Sequence, residues 1–158
     1  ILLRGDMSVS AVFFNMSEEH LDEILTWPFV SIGSDSSARS LRGPTAQGRP
    51  HPRTFGCFAR YLSEYVLRRK VLSMPEAIAK ITSLSARRFG LRDRGELKPG
   101  MFADIAVFVP ENLSDLATYQ KPFRLAKGMR HVLVNGQPVL KNGRATRARP
   151  GRVLRCGN

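Results

Sequence analysis

The sequence predicts an α/β protein whose first half alternates strands with helices and whose second half is rich in β-strands. Three observations support this prediction. A short apolar run at residues 29–32 stops abruptly at a Gly-Ser-Asp turn, as a buried strand does where it reaches the edge of a sheet. A capped amphipathic segment at residues 73–90 predicts a helix. An Asn-Gly pair at residues 135–136, flanked by apolar residues, predicts a β-hairpin.

The first elements form a strand–helix–strand unit. Residues 11–14 are apolar and predict a strand, and Ser17 is a suitable N-cap for a helix that ends before Pro28. The second strand is Phe29–Ile32, and Asp35 follows it. In parallel α/β sheets, ligands bind at the carboxyl ends of strands, which makes Asp35 a candidate site residue. The common alternative is a strand-end Asp that hydrogen-bonds its own turn.

The next segment predicts a loop followed by two helices. Residues 36–50 are rich in Ser, Arg, Gly and Pro without periodicity, which indicates a functional or mobile loop. From Thr54 an aromatic and apolar stripe at helical spacing predicts a helix whose stripe packs in the core: Phe58, Tyr61, Leu62, Tyr65 and Val66. Ser73 and Glu76 form a capping box for the second helix, and Gly90 supplies its C-terminal stop. We expect its buried face to comprise Ala77, Ile78, Ile81, Leu84 and Phe89.

Past Gly90 the pattern changes to strands. Residues 102–108 predict one strand, and residues 130–140 predict a hairpin with a type I′ turn. Pro138 indicates an edge strand or a position outside the hydrogen-bonded ladder. We therefore divide the chain into residues 1–90 and residues 91–158.

Charge is the unusual part of the composition. The net charge is +12 at pH 7, and ten Lys or Arg lie between Lys121 and Arg155, with no Asp or Glu after Asp115. Such an excess can bind nucleic acid or another polyanion. No Phe, Trp or Tyr follows Phe123, so the tail offers no aromatic side chains on which bases could stack. We interpret the tail as a solvated basic surface without a specific nucleic-acid site, and keep a basic binding module as the alternative.

The cysteines and the apolar runs indicate the cellular compartment in which we expect the protein. Cys57 and Cys156 form no Cys-x-x-Cys motif or disulfide framework, which favours reduced thiols and a cytoplasmic protein. Cys57 lies among helical apolar residues and is interpreted as packing. We expect no signal peptide, because the apolar opening residues 1–4 are few and charged residues interrupt them, and no apolar run reaches membrane-spanning length.

Seven segments, taken in order, resemble the N-acyl-D-amino-acid deacylases (D-aminoacylases) of the amidohydrolase superfamily. The resemblance implies the C-terminal part of an amidohydrolase, with the last β/α units of a TIM-like barrel and strands of the small β-sandwich domain. A complete barrel needs about 250 residues, more than the 158 present. The matching segments are Gly33-Ser34-Asp35, His51-Pro52-Arg53, Leu72–Ala77, Ile81–Arg88, Gly95–Ile105, Val132–Gly136 and Arg149–Arg155.

The same resemblance implies roles for three residues. Asp35 is expected to be catalytic, carrying a proton from the attacking water, and to be available as a metal ligand. Arg53 is expected to bind the α-carboxylate of an N-acyl-D-amino acid, and His51 to orient Arg53 or line the pocket. An ordinary loop histidine is an equal alternative for His51. Zinc is the cofactor implied for the complete enzyme.

The isolated chain is expected to lack this activity. Its three histidines, His20, His51 and His131, have no metal-ligand spacing. We therefore expect no zinc and no hydrolysis from the chain alone, and self-association through open strand edges. The sequence also departs from the family pattern at two places. Cys-Phe-Ala-Arg replaces Thr-Phe-Pro-Arg at residues 57–60, and Val109 stands where the family usually has an acidic residue. A non-catalytic remnant is a further alternative.

Overall fold

The computed structural model describes residues 13–155, which form four α-helices and a four-stranded antiparallel sheet. The helices are α1 Glu18–Thr26, α2 Arg53–Arg60, α3 Met74–Ile81 and α4 Ser83–Arg88, and α2 continues as a π-helix over Tyr61–Arg68. The strands are β1 Ile105–Phe108, β2 Met129–Val134, β3 Gln137–Lys141 and β4 Arg144–Ala145, in the order β1-β2-β3-β4.

The hairpin is confirmed. Asn135 and Gly136 connect β2 to β3 with φ angles of 48° and 79°, the two positive values that a type I′ turn requires. The edge-strand alternative for Pro138 is wrong, because β3 lies between β2 and β4. The β2–β3 register shifts between Val132 and Leu133, where Pro138, which has no amide proton to donate, pairs with Leu133.

The predicted strand at Phe29–Ile32 is wrong. No strand is assigned there within the described part of the chain, and Phe29 is 59% exposed rather than buried. Of the strand predicted at residues 11–14, residues 11 and 12 lie outside the described range, and residues 13 and 14 carry no strand assignment.

Side chains, rather than a neighbouring strand, occupy the carbonyl groups of this segment. Lys80 donates to the carbonyl of Val30 at 3.1 Å, and Arg88 donates to that of Phe29 at 3.3 Å. A strand requires a ladder of backbone partners, and apolar character alone does not supply one. The segment is therefore held by contacts with the helices α3 and α4.

The helical predictions hold at their caps and fail in the middle of the second helix. Ser17 accepts hydrogen bonds from the amides of Glu19 and His20, and Ser73 and Glu76 form the predicted capping box. Thr82, with φ −134° and ψ −93°, separates α3 from α4. Its hydroxyl donates to the carbonyl of Ile78 at 2.7 Å, a local bond that competes with helix continuation.

One apolar cluster joins the helices to the second half of the chain. It includes the predicted aromatic face of α2 and its continuation, although Phe58 is 45% exposed. Phe89, placed on the buried face by its spacing, is 68% exposed because α4 ends before it. The buried members are Leu25, Ala59, Tyr61, Leu62, Tyr65, Val66, Ala77 and Leu113, with Phe108 and Met129 packed against them.

Among residues 13–155, no helix combines the length and the apolar character needed to cross a membrane. The outer strands of the described sheet are β1 and β4. Self-association through such edges stays a prediction, as does the division of the chain at residue 90.

Candidate functional site

Asp35 and Arg53, which the sequence predicts as site residues, form an ion pair. The Oδ2 atom of Asp35 lies 2.6 Å from Nη2 of Arg53, and their side chains are 86% and 44% exposed. An exposed pair of this kind typically contributes between about 0 and 1 kcal/mol to stability. Both groups are therefore accessible to a ligand, and the fold depends little on their contact.

The segment before Asp35 is anchored by a buried lysine that sequence reasoning missed. The side chain of Lys80 donates hydrogen bonds to the carbonyls of Trp27 and Val30. Burial lowers the pKa of Lys80, while nearby Glu76 opposes that effect. The sequence carried a usable signal, because Lys80 lies three residues after Ala77 on the face predicted to be buried.

The loop over residues 36–50 contains neither helix nor strand, as predicted, and it is held by side-chain hydrogen bonds. The Ser36 hydroxyl donates to Oγ1 of Thr54 at 2.8 Å, which ties the start of the loop to α2. Arg39 donates to the carbonyl of Gln47 at 2.6 Å across the loop. These contacts bring Asp35 next to Arg53 despite the intervening chain.

His51 occupies a defined position beside Arg53. Its Nδ1 atom accepts the backbone amide of Arg53 at 3.1 Å, and its Nε2 atom lies 3.0 Å from the Tyr119 hydroxyl. Burial lowers the pKa of His51, and the positive charge of Arg53 lowers it further. The neutral ring is thus favoured, with Nδ1 free to accept.

This environment predicts a pH dependence of folding. A histidine whose pKa is lowered in the folded state contributes stability above its unfolded pKa, near 6.5. That contribution is lost as the pH falls from about 6.5 through the lower folded pKa. Urea denaturation of the wild type and of His51→Gln at pH 7.5 and pH 5 should show a smaller acid loss in the variant. Equal losses in the two proteins would contradict the prediction.

His51 and Arg53 line a cavity of about 600 Å³. This volume lies within the range of about 300–1,000 Å³ typical of small-molecule sites. Tyr119 and Asp115 contribute polar groups that sequence reasoning did not single out, and Asp35 contacts the lining through Arg53. Apolar side chains form most of the wall, among them Leu21, Ile24, Val30, Ile32, Tyr61 and Tyr65.

Cys57 also lines this cavity, in a position that agrees with packing. Its Sγ atom lies 3.7 Å from the carbonyl of Gly33, and the residue is half-buried. Burial raises the pKa of the Cys57 thiol, and the opposing effect of Arg53 is smaller. The thiol form, which is a poor nucleophile, is therefore favoured. Cys156 lies outside the described residues.

The described residues do not fit a zinc centre. Within residues 13–155, no group of three or more His, Cys, Asp or Glu side chains is close enough to hold a metal ion. His20 lies in α1 and His131 in β2, each distant from Asp35 in the chain. Asp35 alone would supply one ligand, whereas zinc sites use three or four.

Comparison with known proteins identifies the family. A sequence profile of the amidohydrolase family matches residues 30–140, well over half of the chain. The chain belongs to the amidohydrolase family. It is 40% identical over 144 residues to D-aminoacylase and 39% identical over 145 residues to N-acyl-D-glutamate deacylase, both from Alcaligenes xylosoxydans xylosoxydans. These matches cover 91% and 92% of this chain and 28% of each relative.

Solved amidohydrolase structures agree with the fold. The crystal structure of D-aminoacylase matches with a TM-score of 0.79 at 37% identity, over 89% of this chain and 28% of that one. N-acyl-D-glutamate deacylase from Bordetella bronchiseptica, complexed with zinc and a phosphonate that mimics the tetrahedral intermediate, matches with a TM-score of 0.75 at 38% identity, with the same coverage. The predicted resemblance and α/β class are confirmed, as a partial α/β structure with a small antiparallel sheet.

Proposed function

We propose that this chain forms part of an amidohydrolase that hydrolyses the amide bond of N-acyl-D-amino acids. The chain spans about 28% of the length of the curated relatives it matches, so we propose the activity for a complete enzyme of which these residues are one part. Those relatives are N-acyl-D-aspartate deacylase, N-acyl-D-glutamate deacylase and D-aminoacylase, at 36%, 39% and 40% identity. The observation that carries the proposal is the exposed Asp35–Arg53 pair beside the cavity.

The two groups suit the two ends of such a substrate. A guanidinium can bond both oxygens of a carboxylate, and Arg53 binds a carboxylate here, that of Asp35. We place the α-carboxylate of the substrate on Arg53, where it takes over the contact that Asp35 makes in this structure. Asp35 is then free to accept the proton of the attacking water and to deliver it to the leaving nitrogen.

Zinc belongs to the proposal only for the complete enzyme. When bound, it would supply Lewis-acid polarisation of the amide carbonyl. The Bordetella bronchiseptica relative was solved with zinc. The residues described here do not form its site, so the roles of Asp35 and Arg53 are argued from their own chemistry.

A chimera tests the proposal. The matched segment of the Alcaligenes D-aminoacylase is replaced by this chain, and hydrolysis of N-acetyl-D-amino acids is compared with that of the L-enantiomers. We expect hydrolysis that prefers the D-enantiomers and is abolished by a metal chelator. A folded chimera that does not hydrolyse the D-substrates would contradict the proposal. The 158-residue chain alone serves as the control and should bind no stoichiometric zinc and show no hydrolysis.

Arg53→Ala should chiefly weaken substrate binding. Loss of one charge-assisted contact is worth about 1.5–3 kcal/mol, which corresponds to a roughly ten- to hundred-fold increase in KM. The value of kcat should change much less, because Arg53 holds the carboxylate rather than the reacting atoms. Steady-state kinetics of the chimera measure both. An N-acyl-D-amino-acid amide, which lacks the carboxylate, provides the control, and its KM should be insensitive to the substitution.

A further inference from the structure

Tyr119 is brought to the site from far along the chain. Its hydroxyl lies 3.0 Å from Nε2 of His51, and the two rings meet edge to face with centroids 5.1 Å apart. Phe14 also meets the Tyr119 ring edge to face, with centroids 5.1 Å apart. The tyrosine ring therefore contacts two aromatic groups, and its hydroxyl is within hydrogen-bond distance of the histidine.

The segment before Tyr119 packs against α2. The Asp115 side chain accepts the amide of Ala117 at 2.8 Å, and it lies directly against Gly56. A Cβ atom at Gly56 would lie 2.0 Å from Oδ1 of Asp115, so a side chain at this position would displace the carboxylate. Thr118 closes the following turn by accepting the amide of Lys121 at 3.0 Å.

The hydrogen bonds through His51 have a defined direction. The backbone amide of Arg53 can only donate, so Nδ1 of His51 accepts from it and carries no proton. In the neutral ring the proton is then on Nε2, which donates to the Tyr119 hydroxyl. Tyr119, His51 and the first residue of α2 are thus linked in a single chain of hydrogen bonds.

We propose that Tyr119 is a positioning residue that acts through His51 to fix Arg53 at the edge of the cavity. It favours the Nε2–H tautomer of His51, whose Nδ1 atom then holds the amide at the start of α2. The inference rests on the proposed function in one respect, namely that Arg53 binds the substrate carboxylate. The hydrogen-bond coupling itself can be measured without catalysis.

Nitrogen-15 NMR of the 158-residue chain tests the coupling directly. His51, assigned by comparison with His51→Gln, should be the Nε2–H tautomer at pH 7.5. In Tyr119→Phe, which keeps the ring packing, the Nε2 proton and the Arg53 amide should exchange with solvent several-fold faster. Tyr65→Phe is the matched control, because Tyr65 lines the same cavity but donates to Glu18. The control should leave both exchange rates unchanged.

Kinetics of the chimera supply the second readout. Tyr119→Phe should raise KM for the N-acyl-D-amino acid about 2- to 10-fold, the effect of one lost hydrogen bond, with kcat nearly unchanged. An Nδ1–H tautomer in the wild type, or exchange rates equal to those of Tyr65→Phe, would overturn the inference. An active chimera with unchanged KM would also overturn it. An inactive chimera whose NMR coupling is intact would contradict the proposed function alone.

Discussion

Asp35→Asn should lower kcat of the chimera by roughly 10²- to 10⁴-fold, the usual contribution of a general acid–base group. The amide of asparagine has nearly the shape of the carboxylate but cannot accept the proton of the attacking water. KM should change far less, because Arg53 remains to bind the substrate. Steady-state kinetics with an N-acetyl-D-amino acid as substrate measure both kcat and KM.

The structure separates this effect from loss of folding. The Asp35 side chain is 86% exposed and its ion pair is worth at most about 1 kcal/mol, so urea denaturation should show little change in stability. Glu23→Gln, a neutralised carboxylate on the exposed side of α1, is the control and should keep full activity. Near wild-type turnover in Asp35→Asn would show that another group carries the proton.

Local sequence signals predicted local structure well. The capping box at Ser73 and the Asn135-Gly136 turn depend on groups within a few residues, and both form as expected. The proximity of Asp35, His51 and Arg53 was indicated by the family motif and is present in the fold. Their chemical roles stay proposals, since the geometry shows contact rather than catalysis.

Contacts between distant segments could not be predicted in the same way. Lys80 reaches a carbonyl 50 residues earlier, and Tyr119 meets a histidine 68 residues earlier. Neither pairing leaves a periodic pattern in the sequence. The failed strand at residues 29–32 has the same origin, because its apolar character indicated burial, while strand formation depends on partners elsewhere.

Arg94→Met should destabilise the described fold by about 3 kcal/mol, because it removes a buried guanidinium whose charge-assisted hydrogen bonds are worth about 1.5–3 kcal/mol each. The Arg94 side chain is 8% exposed and pairs with Asp104, which is 33% exposed. It also donates to Oδ1 of Asn135 at 2.6 Å and lies 4.3 Å from the ring centre of Phe102. Methionine keeps most of the apolar contact with Phe102 and makes none of the hydrogen bonds. The loss of stability therefore measures the hydrogen bonds and the ion pair of Arg94.

The effect should extend to the hairpin, because Asp104 also accepts the amide of Asn135 at 2.7 Å. Arg94→Met leaves this carboxylate without its guanidinium, and urea denaturation should show the loss. Adding Asp104→Asn, which removes the unpaired charge and keeps an acceptor for the amide, should recover part of the stability. Arg87→Met is the control. The Arg87 side chain is 62% exposed and lies 3.5 Å from Glu96, so this substitution should lower the free energy of unfolding by less than about 1 kcal/mol. Equal losses of stability in Arg94→Met and Arg87→Met would contradict the prediction. The Arg94–Asp104 contact would then stabilise the fold no more than an exposed ion pair does.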